Sequence, residues 1–135
     1  MANEELNSNY KLDTVKKIYA ALNQNDVSAY LNFFDTKIER FETFGGRYHG
    51  LEELKTNFSQ GRDTWTEGSC EPEKFTIVDN KVVVFVYVRV RLKNKTDWID
   101  GQVTDVFTFQ STKVVEFYSF ADRNEALKWA GISKD

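Results

Sequence analysis

Residues 103–122 constrain the fold of this chain more than any other stretch. Their sequence, VTDVFTFQSTKVVEFYSFAD, predicts two strands joined by a tight turn at residues 110–112. Alternate side chains of a strand point to the same side of a sheet. One face of the first strand carries Val103, Asp105, Phe107 and Phe109, and one face of the second carries Val115, Phe117, Ser119 and Ala121. If both faces lie on the same side, the carboxylate of Asp105 lies among aromatic rings, and we expect this surface to form one wall of a closed pocket.

Length and composition indicate one globular domain. A chain of 135 residues suits a single hydrophobic core, and 11 Phe, 6 Tyr and 3 Trp supply enough apolar bulk to fill one. The first ten residues are polar and rich in asparagine, so we expect residues 1–10 to be a flexible lead-in. The domain then spans residues 11–135, which contain no internal repeat.

Charge and residue usage disfavour several classes of function. A net charge of −3, without a basic stripe among aromatic residues, predicts no binding to nucleic acid. We expect no membrane partner, since no apolar run approaches the length of a span and no secretory leader pattern is present. The single cysteine, Cys70, cannot form an internal disulfide, which favours a cytoplasmic location. One histidine and no inward carboxylate cluster predict no metal site, and we expect no cofactor.

Apolar residues at spacings of three and four predict three helices in the first half of the chain. Asp13 or Thr14 is expected to cap the first helix, which ends at residues 23–25, and Asp26 to cap a short second one. The third helix covers residues 51–60, after His49 and a glycine. The inward positions of the first two helices are Leu12, Val15, Ile18, Tyr19, Leu22, Val27, Tyr30, Leu31 and Phe34.

The remaining segments read mainly as strands. Residues 37–44, KIERFETF, alternate and place Ile38, Arg40 and Glu42 on one face. Residues 61–73 are the longest irregular segment, and loops of this length often form lids or mouths. From residue 74 onward the strands follow one another as a meander, and residues 123–130 form a short last helix. This order predicts an α+β fold, with three N-terminal helices on the concave face of a curved, mainly antiparallel sheet.

The arrangement resembles the nuclear transport factor 2-like superfamily, in particular its SnoaL-like branch, over roughly residues 12–132. Three pieces carry the resemblance: NQNDVSAYLNFFD, FGGRYHGLEELKTNF and the final FYSFAD. The resemblance implies a cone-shaped cystatin-like fold. Members include ketosteroid isomerases, limonene-type epoxide hydrolases, polyketide cyclases, dehydratases and non-catalytic binding domains, so the fold alone leaves the function open.

The resemblance to the isomerases is incomplete at the active site. Asp105, in TDVFTF, matches the position of their oxyanion-hole aspartate. Their tyrosine position falls at Ile18, with Tyr19 next to it and turned about 100° around the helix. Their base position falls at Arg40, so the resemblance leaves two of three isomerase groups missing.

The match to the epoxide hydrolases is also incomplete. Their carboxylate on the last strand is replaced by Ser119, and their Arg–Asp pair falls at Val88 and Val90. Ser119 has no histidine or lysine partner that the pattern places beside it, so a nucleophilic role lacks a base. We expect Ser119 to be a small residue that makes room in the pocket wall.

Arg40 and Asp105 are the two ionisable residues that the patterns place inside the pocket, while Glu42 either extends its polar floor or lies at its mouth. Three interpretations remain open: the two pair as a structural bridge, each meets a polar atom of a ligand, or Asp105 is a protonated hydrogen-bond donor. His49, the only histidine, is expected to be a surface or helix-cap residue.

Two functions follow from these patterns. The first is a small-molecule pocket protein of the isomerase, dehydratase or cyclase type that acts on an apolar ring-containing metabolite. Its catalytic candidates are Arg40 as electrophilic stabiliser and Asp105 as acid or base. The second is a non-catalytic ligand-binding or protein-interaction domain with a filled or small cavity. The ligand-binding candidates are Tyr19, Phe34, Phe58, Trp65, Phe107, Phe117 and Ser119.

The opposite sheet face is expected to carry a partner surface. Phe85 and Tyr87 alternate with the valines of residues 82–93, and Tyr118 and Phe120 alternate with Phe117 and Ser119. An apolar patch of this size in water usually marks a contact. We therefore expect a homodimer through the convex sheet face, with the twofold symmetry most common among oligomers.

Overall fold

The computed structural model describes residues 2–131, although not the side chains of residues 2–9, Arg62 and Trp65. Four helices and six strands make up this part of the chain. In order they are α1 (Ala2–Asn23), α2 (Val27–Leu31), β1 (Phe34–Phe41), β2 (Arg47–His49), α3 (Gly50–Asp63), β3 (Trp65–Val78), β4 (Lys81–Leu92), β5 (Ile99–Gln110), β6 (Lys113–Phe120) and α4 (Arg123–Trp129).

All six strands form one mixed sheet in the order β2-β1-β6-β5-β4-β3. Strands β1 and β6 pair in parallel, and every other neighbouring pair is antiparallel. The hairpin expected at residues 103–122 is present, because β5 and β6 pair around a turn in which Ser111 has a φ of 58°. The parallel pair places the first strand, β1, beside the last strand, β6, so Arg40 lies opposite Phe117.

Helices α1, α2 and α3 pack on one face of the sheet, which confirms the predicted α+β architecture. The shared core contains the apolar stripes of the helices and alternate valines of β4. Its fully buried members include Val15, Ile18, Tyr30, Ile38, Leu54, Val82, Val84 and Phe107. The alternation predicted for β4 is therefore confirmed, since Val84 and Val86 face these helices.

Helix α4 covers part of the opposite, convex face. Asp122 caps it by accepting hydrogen bonds from the backbone amides of Asn124 and Glu125. A second, smaller core forms beneath the helix from Val83, Val106, Ala126 and Ala130. The convex face is thus divided between a covered part and a part that stays in contact with solvent.

The predicted start of the first helix is wrong. Helix α1 begins at Ala2, so Asp13 is an interior residue that pairs with Lys17 one turn later at 2.9 Å instead of capping the helix. Helix-forming residues such as Glu4 and Glu5 precede it and extend the helix. Met1 lies outside the described residues, and the flexibility of residues 1–10 stays a prediction. The cap at Asp26 is confirmed, because its side chain accepts from the amide of Ala29.

The irregular mouth predicted at residues 61–73 is wrong. Helix α3 continues to Asp63, and β3 begins two residues later at Trp65. Pro72 did not break the strand because β3 lies at the edge of the sheet, where a missing N–H is tolerated, and a bulge follows between Pro72 and Lys74. The segment is therefore regular in structure, and two of its residues, Gly61 and Cys70, line a cavity.

Two smaller differences affect which side chains point inward. Strand β1 begins at Phe34, which was expected on the second helix but still faces the core. A bulge between Thr108 and Phe109 leaves one extra residue on β6, so Val114 faces the core where Val115 was expected. The alternation resumes beyond the bulge, and Phe117 and Ser119 keep their expected inward direction.

Candidate functional site

Arg40 is the central cation of the inner face. It lies on β1, and its guanidinium carbon stands 3.9 Å from the centre of the Phe117 ring. Its Nη1 donates to the backbone oxygen of Phe41 at 2.7 Å, to that of Phe117 at 3.3 Å, and to Ser119 Oγ at 3.0 Å. One nitrogen is thus fixed by three acceptors, which holds the guanidinium plane in one orientation.

Ser119 links Arg40 to a buried carboxylate. Asp105 and Ser119 are directly opposite each other on β5 and β6, and Ser119 Oγ donates to Asp105 Oδ1 at 2.6 Å. The other oxygen, Oδ2, accepts from the hydroxyl of Tyr19 on α1, also at 2.6 Å. The four side chains form one continuous hydrogen-bonded chain, Arg40–Ser119–Asp105–Tyr19. Among these described side chains Arg40 and Asp105 form no direct ion pair, because Ser119 stands between them.

Burial is the largest influence on the pKa values of Asp105 and Tyr19, the two buried members of this hydrogen-bonded chain. Removal from water raises the pKa of Asp105 above its ordinary value of 3.8, although the charge of Arg40 and the hydrogen bonds from Ser119 and Tyr19 act in the opposite direction. Burial also raises the pKa of Tyr19 well above 10.0, and the neighbouring charge of Asp105 adds to this effect. Tyr19 therefore keeps its proton and acts as a donor to the carboxylate.

A cavity of about 170 Å³ adjoins Arg40. Its polar lining comes from Arg40, Glu42 and Asn57, and its aromatic lining from Tyr30, Phe58 and Phe117. A second cavity of about 200 Å³ shares Arg40 and Glu42 and extends along the turn that follows β1. The two cavities share these two charged side chains, so both charges are available to a ligand in either cavity.

The turn after β1 forms the outer wall. The backbone amide of Glu42 donates to the oxygen of Gly46 at 2.8 Å, which closes the turn, and Gly45 has a φ of 98° that favours glycine. Phe44 at its tip is 94% exposed and lines the second cavity. An aromatic ring that lies free in solvent at the edge of a cavity is available to cover a ligand.

Arg40, which lines both cavities, retains hydrogen-bonding capacity. Its Nε is buried and has no partner, and its Nη2 donates to no atom of the described residues. A buried donor on a charged group that lacks an acceptor costs roughly 1–3 kcal/mol or more. The accessible donor is Nη2, which is not among the buried atoms without a partner and can donate to an oxygen atom of a bound molecule.

The structure separates the predicted site residues into two groups. Arg40, Phe58 and Phe117 line the cavity, and Phe117 in turn stacks on Phe107 at 4.4 Å and on Phe34 at 6.2 Å. The remaining candidates lie in the layer behind these, and the lining of neither cavity includes them within the described residues: Tyr19, Phe34, Phe107, Asp105 and Ser119.

Two further candidates are set apart from this group. The side chain of Trp65 lies outside the described part of the structure, although its backbone belongs to β3. His49 is exposed and contacts Glu39 at 2.9 Å on the outer side of β1, so it is remote from the cavity. In residues 2–131, no group of three or more His, Cys, Asp or Glu is placed to hold a metal ion.

Sequence reasoning placed Glu42 on the inward face but left its role open between pocket floor and mouth. In the structure Glu42 Oε2 accepts from Asn57 Nδ2 of α3 at 2.8 Å, and the carboxylate lines both cavities. The alternation that places Arg40 inward also places Glu42 inward, so the sequence pattern predicts the direction of its side chain. The contact with Asn57 depends on how α3 packs, which the sequence pattern does not give.

A family of known domains matches most of the chain. The SnoaL-like domain family matches residues 15–117, which include Tyr19, Arg40, Glu42 and Asp105. The chain belongs to the SnoaL-like domain family. No curated protein matches it in sequence.

Solved structures share this SnoaL-like fold at low sequence identity. An NTF2-like protein of unknown function from Burkholderia pseudomallei superposes with a TM-score of 0.77 at 20% identity, over 88% of this chain and 95% of that one. A putative polyketide cyclase from Xanthomonas campestris pv. campestris gives 0.78 at 14%, over 92% and 98%. A hypothetical protein with a ketosteroid isomerase-like fold from Catenulispora acidiphila, in complex with trimethylamine, gives 0.75 at 11%, over 89% and 93%.

These similarities establish the fold and leave the reaction open, because the identities are all low. The relatives include a ligand-bound structure, which is consistent with small-molecule binding by this fold. None of the helices within residues 2–131 combines the length and the apolar character needed to cross a membrane.

Proposed function

We propose that this SnoaL-like protein binds a small, largely apolar, ring-containing metabolite in the cavity beside Arg40 and catalyses a reaction of the isomerase, dehydratase or cyclase type. The observation that carries the proposal is the guanidinium of Arg40, which lines both cavities and has its Nη1 fixed by three acceptors, while its Nη2 donates to no atom of the described residues. A fixed cation in an apolar site stabilises the oxyanion that forms when a carbonyl compound loses a proton.

The size of the cavity limits the ligand. An apolar cavity of about 150 Å³ accommodates benzene, whereas pockets for drug-sized ligands span about 300–1,000 Å³. The inner cavity of about 170 Å³ therefore suits a single ring, whose substituents extend into the outer cavity of about 200 Å³. The trimethylamine in the relative from Catenulispora acidiphila supports a ligand of this small size.

In the proposed function, Asp105 acts on the ligand only indirectly, through Ser119 and Arg40. Both of its oxygens already accept hydrogen bonds, from Ser119 and from Tyr19, and it lies behind the cavity lining. Its negative charge and the serine that it orients favour one position of the guanidinium. We assign Asp105 to the positioning of Arg40, while direct contact with the ligand belongs to Arg40 itself.

p-Nitrophenol is a suitable probe for the cavity, because it has one ring and one phenolic oxygen and because its phenolate absorbs visible light. We expect the protein to bind the phenolate form and to lower the apparent pKa of the bound phenol. Arg40→Met should weaken binding about tenfold or more, since a hydrogen bond to a charged group contributes roughly 1.5–3 kcal/mol. Arg89→Met is the matched control, because Arg89 also stacks on a ring, that of Trp98, but is exposed on the outer face. Failure of the wild-type protein to bind the probe would contradict the proposal.

A non-catalytic ligand-binding domain is the second candidate. Two observations favour it: Arg40 Nη1 already has three acceptors, and Asp105 already accepts from two donors. These groups are therefore satisfied within the protein and need no reacting substrate. A binding domain would take up p-nitrophenol in the same way but would show no proton-transfer activity with any ligand of the cavity. The proton-transfer probe described below separates the two candidates.

We also propose that the protein forms a homodimer through its convex sheet face. Phe85, Tyr87, Tyr118 and Phe120 are all partly exposed there. Trp129 of α4 stacks on Tyr118 at 4.3 Å and extends this aromatic surface while remaining 37% exposed. We expect light scattering at micromolar concentration to give the mass of a dimer and Tyr118→Lys to shift the mass toward the monomer. A monomeric wild-type protein at that concentration would contradict this assignment.

A further inference from the structure

Glu42 is a second charged side chain of the cavity, and the function proposed above leaves it without a role. It follows Arg40 by two positions, which places both on the inward face, and it lines both cavities. Although the two charges share a cavity, their side chains form no ion pair with each other within the described structure. An unpaired carboxylate and an incompletely paired guanidinium in one cavity indicate two separate contacts with a ligand.

The carboxylate of Glu42 is held in place on two sides. Asn57, a buried residue of α3, donates to its Oε2 at 2.8 Å. The other oxygen, Oε1, lies against Gly46, where a methyl group on the glycine would stand only 2.4 Å away. The side chain is therefore confined between Asn57 and the turn. Because Asn57 occupies only part of its accepting capacity, the carboxylate can still accept a proton from a ligand.

We propose that Glu42 is the general base of this site, with Asn57 as its positioning residue and Arg40 as the cation that receives the developing negative charge. This inference rests on the proposed function and names the proton-transfer group within it. It differs from the sequence-based expectation, in which Asp105 was the acid or base. The substrate class is a small cyclic compound with a carbonyl group, an acidic hydrogen on the neighbouring carbon and a C=C bond next to that carbon.

The proton-transfer step needs no further reactant. Glu42 takes the hydrogen from the carbon beside the carbonyl, the electron pair of the broken C–H bond forms a C=C bond, and the carbonyl π pair moves to the oxygen next to Arg40. Because the substrate carries a C=C bond next to the deprotonated carbon, the product of this step is a dienolate. The protonated Glu42 then returns the proton to the far end of that C=C bond, whose electron pair forms the new C–H bond. The electron pair of the newly formed C=C bond moves to the position between the two former double bonds, the carbonyl re-forms, and the carboxylate is restored. Atoms and charges balance, and the net result is an isomerisation.

A nitrobenzisoxazole with its nitro group para to the ring oxygen tests this assignment without knowledge of the natural substrate. A base removes the hydrogen from the carbon next to the ring nitrogen, the electron pair of that C–H bond completes a nitrile, and the N–O bond breaks to leave a coloured phenolate. The base must reach the carbon while a cation stabilises the phenolate, and the bicyclic probe would occupy the inner cavity with one ring and extend into the outer cavity with the rest. We expect the wild-type protein to accelerate this elimination.

Glu42→Gln should lower the rate constant for the probe about a hundredfold or more, because general-base catalysis contributes roughly 10²–10⁴-fold. Glu39→Gln is the matched control, since Glu39 lies on the same strand but contacts His49 on the other side, and it should leave the rate unchanged. Asn57→Ala should lower the rate less than Glu42→Gln and leave the pH dependence in place.

Asp105→Asn separates the base from the residues behind it. If Asp105 acts only by positioning Arg40, this variant keeps the acidic limb of the pH–rate profile and loses about tenfold in rate. In Glu42→Gln the acidic limb, which is the fall in rate toward low pH, should disappear. The other titratable or charged groups that line the two cavities in the described structure are Arg40, Tyr30 and Cys70, so the corresponding Tyr30→Phe and Cys70→Ser variants should keep the limb.

Three results would overturn the assignment of Glu42. They are an unchanged rate in Glu42→Gln, a loss of the acidic limb in Asp105→Asn alone, and the absence of elimination by a wild-type protein that binds p-nitrophenol. The last result refutes Glu42 as a base and leaves small-molecule binding intact. Absence of p-nitrophenol binding instead refutes the proposed function, so the two failures are distinguishable.

Discussion

The hydroxyl of Tyr19 donates a 2.6 Å hydrogen bond to Asp105 across 86 positions of sequence. The bond joins α1 to the middle of β5 inside the core, where Tyr19 is 3% exposed and Asp105 5%. In such surroundings an unpaired carboxylate is costly, and a single donor has a large effect on its charge. The contact therefore connects the packing of the first helix to the protonation of the residue that orients Arg40 through Ser119.

Replacement of Tyr19 by phenylalanine tests this connection. Tyr19→Phe removes one of the hydrogen bonds that oppose the effect of burial on Asp105, so the pKa of Asp105 should rise further. Loss of a donor to a buried acceptor should also lower the free energy of unfolding by about 1–3 kcal/mol. A carbon NMR titration of the Asp105 carboxyl and urea denaturation measure the two effects.

The control for this variant is Tyr10→Phe. The hydroxyl of Tyr10 donates to the backbone oxygen of Thr112 at 3.3 Å at an exposed position of the same helix. Its removal should change stability little and leave Asp105 unaffected. A downward or absent shift of the Asp105 pKa in Tyr19→Phe would show that the hydroxyl does not stabilise the carboxylate.

The raised pKa of Asp105 predicts a definite dependence of stability on pH. The folded protein holds the proton of Asp105 more tightly than the unfolded chain does, because burial raises the pKa above 3.8. The contribution of Asp105 to stability is therefore fully present below the unfolded pKa and declines as the pH rises through the folded pKa. Asparagine does not ionise, so the stability of Asp105→Asn relative to wild type should increase as the pH rises across this window.

Urea denaturation at a series of pH values measures this difference, and above the folded pKa it should become constant. Asp100→Asn is the control, because Asp100 lies on the same strand but is exposed and accepts from the hydroxyl of Tyr87 at 2.8 Å. Parallel stability curves for Asp105→Asn and wild type would mean that burial does not favour the protonated carboxyl.

The inward direction of Arg40 and of the valines of β4 could be read from the sequence. Both follow from strict alternation, and a one-residue shift would place an entire apolar set in water. The residues that line the cavity on β1 and β6 were found for the same reason. Helix caps such as Asp26 were also predictable, since a side-chain acceptor at that position satisfies a free amide.

The partner of Asp105 was not predictable in this way. The matched isomerase position fell at Ile18, and both Ile18 and Tyr19 are buried in the core. Which of two neighbouring buried residues reaches a given strand depends on the rotation and axial position of the helix, and these are set by tertiary packing. Periodicity gives the buried face of a helix and leaves that rotation undetermined within about one residue.

The extent of β3 was missed for a related reason. Glycine at positions 61 and 68 and proline at 72 are typical of loops, so residues 61–73 read as irregular. The position at the sheet edge and two bulges accommodate Gly68 and Pro72 within a 14-residue strand, while Gly61 belongs to α3. Local propensity does not reveal whether a strand will lie at an edge.

Gly46→Ala should displace Glu42 with little loss of stability. The new methyl group would stand 2.4 Å from Glu42 Oε1, which is the end of a flexible side chain and can move away. Because the backbone of Gly46 does not have a positive φ, the substitution should cost less than about 1 kcal/mol of unfolding free energy. Elimination of the nitrobenzisoxazole should slow markedly, since the base has left its contact with Asn57.

Gly101→Ala provides the control for this substitution. Gly101 lies on β5, and a methyl group there would meet no atom within 4 Å. Its rate and its urea midpoint should match those of the wild type. A Gly46→Ala protein with the wild-type elimination rate would indicate that the placement of Glu42 does not govern proton transfer.

Phe44 should contribute to ligand binding and hardly at all to folding. Its ring is 94% exposed and lines the outer cavity, so it loses little when the protein unfolds but can cover a ring bound beside Arg40. We expect Phe44→Ala to weaken p-nitrophenol binding severalfold and to change the unfolding free energy by less than about 0.5 kcal/mol. Ile99→Ala, which shortens another exposed apolar side chain on β5, should alter neither quantity. Equal affinities of Phe44→Ala and wild type for the probe would show that the turn after β1 does not close over the ligand, and the outer cavity would then be an open entrance.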